Sequence, residues 1–181
     1  MILEANTHVR GASFVVGKAE ALPVGSGAVG LITAAGSLNF TNVQQCLAEA
    51  RRVLSPDGVL VVYDFATGRR SAQSPDLESW YADWLRRWPT PTTGVTAIRP
   101  STFDEAPLRL IAYESFTVAT TFDLNGYLDY VMTESNVSSA IRSGASMEEI
   151  RGWCEQHLRS LFEEPFQVEF DSYFACLTPQ P

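Results

Sequence analysis

The residue types that most often carry catalysis or bind metals are sparse in this 181-residue sequence. Its two histidines, His8 and His157, have no cysteine, histidine or carboxylate at metal-ligand spacing, and the three cysteines are neither clustered nor evenly paired. Gly-x-Ser-x-Gly and phosphate-loop patterns do not occur, and Gly-x-Gly-x-x-Gly occurs once, at residues 25–30. These patterns therefore predict no metal site, no serine elbow and no phosphate loop.

Charge is divided unevenly along the chain. Residues 1–90 carry eight basic and eight acidic side chains, whereas 91–181 carry five and thirteen, so the net charge of −8 arises in the second half. A protein that binds a phosphate backbone needs a basic face, so nucleic acid is not expected as a partner. No apolar run reaches the roughly 20 residues that cross a bilayer, and no secretory signal is visible. We expect a cytoplasmic protein without a membrane partner.

The first half of the sequence alternates strand and helix patterns. Residues 13–17 form a short β-branched and aromatic run, and 29–35 form a second apolar run that suits a strand covered on both faces. Thr41 and Gln44 have the spacing of a capping box that opens an amphipathic helix. Residues 59–63 read as the next buried strand. This order predicts a doubly wound α/β sheet.

An aromatic stripe follows at residues 77–88. Its tryptophan, tyrosine and leucine side chains repeat at helical spacing until Pro89 ends the pattern. Packing in the core is the favoured interpretation. The alternative is a lid over an apolar substrate pocket, in which Trp80 and Trp84 face the substrate.

The second half predicts strands separated by helices. Residues 116–122 and 168–177 read as strands, and 124–133 read as a short helix. Ser146 is placed to cap a further helix that extends to about Phe162. Two late strands with helices between them are expected to add an antiparallel edge to the parallel sheet.

Four stretches carry a family resemblance: 14–23 with its Ala-Glu-Ala-Leu-Pro run, 29–40, 47–60 and 173–179. In this order they resemble the third strand, the fourth strand with its loop, the next helix and turn, and the last strand of class I S-adenosylmethionine-dependent methyltransferases of the small-molecule type. The stretch 47–60 is the strongest match. Together and in order the four are quite specific.

The resemblance implies a partial doubly wound, Rossmann-like α/β fold. Its sheet is expected to be mostly parallel, with antiparallel C-terminal edge strands, and to lack the family's strands 1 and 2. We expect a single domain over residues 1–181, with a methyltransferase-like core at 13–65. A helical, substrate-side insertion is expected at 75–135, and C-terminal strands and a helix at 116–179.

The resemblance also implies a cofactor, S-adenosylmethionine, and the residues beside it. Lys18, Ala19 and Glu20 would border the adenine. Ala34 and Ala35 would end the fourth strand beside the methionine portion, where small side chains allow close approach. Solvated loop charges at 18 and 20, and close packing at 34 and 35, are the structural alternatives.

The methyl acceptor is expected to be a small molecule near Asn39 and Asp64, with Trp80 and Trp84 as further candidates. Methyl transfer mainly requires in-line alignment of donor and acceptor, so the reaction needs neither a triad nor a metal. Three positions depart from the family's usual residues: Lys18 and Gly30 stand where aspartate is common, and Asn39 replaces a common histidine.

Two cofactor-binding features of the family are absent from the sequence, because the resemblance begins after both: the glycine-rich loop after strand 1 and the acidic residue that ends strand 2. We therefore expect a chain truncated before or around strand 3, with an incomplete cofactor site. Either residues 14–16 move beside 29–35, or unpaired strands make a homodimer. The alternative function is a non-catalytic, degenerate methyltransferase-fold domain that binds a ligand or a protein partner.

Overall fold

A computed structural model describes residues 7–91 and 96–180. The strands are β1 (Val29–Ala35), β2 (Leu54–Phe65), β3 (Leu108–Phe122) and β4 (Phe166–Pro179). The described helices of eight or more residues are α1 (Val43–Val53), α2 (Asp76–Arg87), α3 (Leu124–Val131), α4 (Ser135–Arg142) and α5 (Met147–Leu158). Short 3-10 helices lie at Leu38–Phe40 and Pro100–Phe103. In the described part of the chain, no helix is both long enough and apolar enough to cross a bilayer.

The four strands form one sheet in the order β1-β2-β4-β3. β1 and β2 pair in parallel, with Ala35 opposite Tyr63 at their carboxyl ends. β4 runs antiparallel to β2, because Ala66 N–H donates to the Asp171 carbonyl while Thr178 lies beside Gly58. The mixed sheet confirms the predicted α/β class and its antiparallel C-terminal strands.

The helix α1 forms where the sequence predicts it, but with a different cap. The side chain of Asn42 accepts the Gln45 N–H at 3.2 Å, whereas the Thr41 hydroxyl donates to the Leu38 carbonyl at 2.7 Å. The predicted Thr41 capping box is therefore wrong by one residue: Thr41 closes the preceding 3-10 turn instead. The apolar stripe of α1 is buried, as expected.

Two predictions about the first strands are wrong. Residues 13–17 form no strand, and Val16 is 85% exposed, so they also do not move beside β1. β1 is not covered on both faces, since Leu31 is 61% exposed. Strand propensity is a local property, whereas strand formation needs a hydrogen-bonding neighbour, and the described residues supply none for 13–17.

The chain packs as two compact units. The first comprises residues 1–64, 94–114 and 173–181, and the second comprises 65–93 and 115–172. The core of the first unit is aliphatic around α1 and the ends of the strands, with Leu47, Ala175 and Leu177 fully buried. This core holds the carboxyl ends of β1 and β2 in place.

The core of the second unit is aromatic. Trp84 is fully buried and Trp80 is 6% exposed, and their rings stack at a centroid separation of 5.7 Å. The core interpretation of the 77–88 stripe is therefore correct, and these two rings do not present the open face that a substrate lid requires. α4 was not predicted, and α5 ends at Leu158 instead of about Phe162.

Candidate functional site

The carboxyl ends of β1 and β2 meet at Gly36. This residue has a φ of +52°, and its backbone N–H donates to the Tyr63 carbonyl at 2.9 Å. A Cβ built on Gly36 would lie 3.0 Å from Asp64 Oδ1. Only glycine combines the left-handed conformation with this close approach, so the turn after β1 brings the backbone directly against the Asp64 carboxylate.

Asn39 lies beside the same carboxylate. Its Nδ2 is 3.5 Å from Asp64 Oδ2, and its carbonyl accepts the Thr96 N–H at 2.9 Å, which fixes the 3-10 turn. Asn39 Oδ1 is buried and receives no hydrogen bond from the described residues. Because buried acceptors are nearly always satisfied in folded proteins, this oxygen is placed to accept a hydrogen bond from a bound N–H or O–H group.

Two stacked phenols complete this part of the first unit. The rings of Tyr113 and Tyr173 are parallel to within 13°, with centroids 5.8 Å apart. Burial, together with the negative charge of Asp64 and the neighbouring Tyr113, raises the pKa of Tyr173 to about 12. The phenol of Tyr173 therefore stays neutral at physiological pH, and Asp64 is the charged group of the site.

The predicted adenine-side residues form a tight turn. Ala21 N–H donates to the Lys18 carbonyl at 3.0 Å, Lys18 is exposed, and Ala19 is half-buried. Glu20 Oε1 accepts the backbone N–H of Asn42 at 2.8 Å, and this bond holds the pKa of Glu20 below its usual range. The carboxylate of Glu20 thus fastens the turn to the start of α1.

A second set of side-chain hydrogen bonds, from Arg52 and Glu49, holds the residues after this turn. The sequence analysis did not predict it. Arg52 donates to the carbonyls of Leu22 and Val24 at 3.2 and 2.8 Å and pairs with Glu49 at 2.6 Å. Glu49 Oε1 in turn accepts the Leu22 N–H at 2.7 Å. The signal available in the sequence was the i, i+3 spacing of an acid and a base in the last turns of a predicted helix.

Of the nine predicted site residues, the structure brings four to one edge of the sheet, places three in the turn at 18–20 and buries two in the second unit. Ala34 and Ala35 end β1 opposite Val62 and Tyr63, one step before Gly36 and Asp64, and Asn39 follows in the next turn. Trp80 and Trp84 lie in the core of the second unit. Asn39 and Asp64 thus remain candidates for substrate contact, with Ala34 and Ala35 beside them.

The described residues fit one side of S-adenosylmethionine. The small side chains of 34–36 leave room for close approach, and the unpartnered Asn39 Oδ1 suits a donor group. By contrast, the glycine-rich run at 25–30 leads into β1 instead of following a described strand, and no described strand pairs with the outer edge of β1. The fit is therefore partial, and it covers the β1 and β2 ends.

Comparison with known proteins identifies relatives of this chain. Residues 1–62 match the methyltransferase domain family. Over 78 residues the chain is 37% identical to the ubiquinone/menaquinone biosynthesis C-methyltransferase UbiE of Acidiphilium cryptum. That alignment covers 42% of this chain and 31% of the relative, so the chain matches about a third of that protein's length.

Solved structures with the same fold cover nearly the whole chain. A protein described as a type II methyltransferase, from Anaeromyxobacter dehalogenans, is similar with a TM-score of 0.67 and 18% identity, over 93% of this chain and 73% of that one. The YcgJ protein of Bacillus subtilis is similar with a TM-score of 0.52 and 18% identity, over 99% and 76%. These similarities concern the fold.

Proposed function

We propose that this chain, an S-adenosylmethionine-dependent methyltransferase-like protein with the class I fold, methylates a small molecule at the carboxyl edge of β1 and β2. The match of residues 1–62 to the methyltransferase domain family supports this proposal, and the related solved structures support the fold. The observation that carries the proposal is the pairing of Asn39 and Asp64 at an edge where α/β proteins bind their ligands.

The chemistry divides between the cofactor and the side chains of this edge. When bound, S-adenosylmethionine supplies a methyl group activated on a sulfonium. The protein has to align an acceptor for in-line attack, and Asp64 and Asn39 Oδ1 can each accept a hydrogen bond from an acceptor O–H or N–H. The Asp64 carboxylate also offers a place for the proton that an N–H or O–H acceptor loses.

The proposal includes an incomplete cofactor site. The turn at Lys18–Glu20 and the small residues Ala34 and Ala35 supply one wall for the nucleoside and the methionine portion. Two observations support the view that these residues give no second wall: the glycine-rich run at 25–30 leads into β1 instead of following a described strand, and no described strand pairs with the outer edge of β1. The chain on its own is then expected to bind the cofactor product weakly.

The test is an amide NMR titration of the full chain with S-adenosylhomocysteine. We expect shifts in fast exchange at residues 18–20, 34–36 and 39, with a Kd between about 0.1 and 5 mM. Gly36→Ala should weaken them, because alanine is strained at a φ of +52° and its Cβ would lie 3.0 Å from Asp64 Oδ1 and displace that carboxylate. Gly27→Ala is the matched control, since Gly27 also has a positive φ but an added Cβ would meet open space.

Each outcome decides one part of the proposal. A Kd of about 10 µM would show that the site is complete and overturn the claim of incompleteness. The absence of shifts at about 5 mM ligand, or shifts unaffected by Gly36→Ala, would overturn cofactor use by this chain. The alternative function would then stand.

That alternative is a non-catalytic domain with the methyltransferase fold that binds a ligand or a protein partner. The bond from the Asn42 N–H to Glu20 favours it, since this carboxylate serves the fold instead of facing a cofactor. In that case the Asn39 and Asp64 edge should respond to a ligand without an adenine, and S-adenosylhomocysteine should leave these amides unchanged.

A further inference from the structure

The second unit contains an open cavity of about 300 Å³ that the proposed methyl transfer does not use. Its walls come from the carboxyl end of β2, from β3 and β4, and from α3. The lining residues are Phe65, Val118, Thr120, Tyr130, Phe170 and Ser172. A cavity of about half this size, near 150 Å³, is sufficient to bind one benzene ring, so this cavity has the size for two fused rings.

Aromatic rings form the walls of the cavity. The ring of Phe170 meets Phe65 edge-on at a centroid distance of 5.8 Å and meets Tyr130 edge-on at 5.4 Å. Phe65 is 59% exposed and Val118 is 44% exposed, so apolar side chains remain open to solvent where they face the cavity. Rings arranged in this way favour an aromatic guest, because edge-to-face contacts add to the gain from apolar burial.

The polar groups of the cavity are neutral hydroxyls. None of its six lining residues carries a charge. Thr120 contributes an exposed hydroxyl, and Ser172 donates to the Phe170 carbonyl at 3.3 Å, which leaves its oxygen able to accept. The Tyr130 hydroxyl accepts the Gly68 N–H at 3.1 Å, and burial raises the pKa of Tyr130 well above its ordinary value. An ionic guest would lose its hydration here without gaining a counter-charge.

We propose that this cavity binds a compact, neutral, aromatic molecule of one or two rings that carries a hydroxyl or carbonyl group. The rings lie against Phe65, Phe170 and Tyr130, and the polar group bonds to Thr120 or Ser172. This binding belongs to the second unit and does not depend on methyl transfer. The proposed function and this inference can therefore fail separately.

The test is calorimetric titration of the full chain with 2-naphthol, compared with naphthalene-2-sulfonate as the anionic probe of the same ring size. We expect 2-naphthol to bind with a Kd below about 1 mM and the sulfonate to bind at least about tenfold more weakly. Thr120→Phe should fill the cavity and raise the Kd of 2-naphthol by about tenfold or more.

Thr121→Phe is the matched control for that substitution. Thr121 is the same residue type on the same strand, it is exposed, and its side chain projects to the opposite face of the sheet. It should leave the Kd within about twofold. Val118→Trp provides a second filling variant at a half-exposed position, and thermal unfolding of each variant shows whether the fold is kept.

Three results would overturn the inference. These are no heat from 2-naphthol at its solubility limit, equal binding of the sulfonate, or equal losses from Thr120→Phe and Thr121→Phe in folded protein. Selective loss in the two filling variants would support it.

Discussion

Arg52 and Glu49 form an ion pair at 2.6 Å that also binds the chain segment before β1. The Glu49 oxygen that faces Arg52 accepts the Leu22 N–H at 2.7 Å, and Arg52 donates to the carbonyl of Val24 at 2.8 Å. The hydrogen bond from Arg52, together with that from Leu22, lowers the pKa of Glu49 to about 2. The pair therefore holds the 22–24 segment against α1 most firmly while Glu49 is ionised.

Acid should weaken the attachment of this segment. The pKa of Glu49 falls from 4.5 to about 2 on folding, so its contribution to stability is present above the unfolded pKa and is lost as pH falls toward about 2. We expect Glu49→Gln to lower the urea midpoint at pH 7 and to match the wild type near pH 2. Glu163→Gln is the control, because Glu163 is exposed and forms no recorded ion pair among the described residues. Equal pH slopes in all three proteins would contradict the prediction.

Asn39 and Asn42 are two nearby asparagines with different expected roles, so the same substitution at each tests whether Asn39 serves the fold or a ligand. The side chain of Asn42 caps α1, so Asn42→Ala should lower the free energy of unfolding by about 1 kcal/mol. Asn39 holds a buried oxygen without a partner, so Asn39→Ala should change stability by less than about 0.5 kcal/mol. Urea unfolding measures both. A larger loss at Asn39 than at Asn42 would show that Asn39 serves the fold instead of a ligand.

The charge of Asp64 should be detectable at Tyr173. Because that negative charge helps to hold the pKa of Tyr173 at about 12, Asp64→Asn should lower this pKa. Ultraviolet titration of the phenolates between about pH 9 and 13 measures the shift. Tyr173→Phe assigns the signal, since the shifted component must disappear in it. An unchanged titration curve in Asp64→Asn would place the two groups out of electrostatic contact.

Trp84 distinguishes a core residue from a substrate contact. It is fully buried, so Trp84→Ala should lower the free energy of unfolding by about 3–5 kcal/mol. Ser79→Ala, at an exposed position on the same helix, should change it by less than about 0.5 kcal/mol. Denaturant unfolding compares the two. If Trp84→Ala lowers the free energy of unfolding only slightly, Trp84 is not a core residue and becomes a candidate for substrate contact again.

The outer edge of β1, which pairs with no described strand, supports the proposal of a homodimer. Unpaired strand edges pair with other chains, and Leu31 on this strand is 61% exposed. We expect sedimentation velocity at micromolar concentration to show a dimer that Leu31→Lys reduces to monomer. Val15→Lys, at a position 67% exposed outside any strand, should leave the dimer intact. A wild-type monomer at these concentrations rules out the homodimer.

The elements read most accurately from the sequence were those with a strong local signal. The periodicity of residues 77–88 predicted α2 within one or two residues, and Ser146 caps α5 by accepting the Glu149 N–H. β1 was placed correctly at 29–35, whereas β2 spans Leu54–Phe65 and so extends beyond the predicted run 59–63 at both ends. The α/β class follows from these elements.

The errors arose where structure depends on distant residues. The run at 13–17 has strand propensity but no neighbour to pair with, and α4 is a short helix whose serines and asparagine gave no clear stripe. The site was only half predicted. Asn39 and Asp64 were named, but Gly36 and the Tyr113–Tyr173 stack were not, because these contacts join separate stretches of the chain.

Three of the four boundaries between the two units lie within strands. The boundaries at 64/65, 114/115 and 172/173 fall inside β2, β3 and β4 or at their last residue pairs, and the fourth lies at 93/94. No single cut of the gene can deliver one unit intact, because each is assembled from separated stretches of codons. Engineering this protein by domain exchange would thus require transplanting several fragments at once.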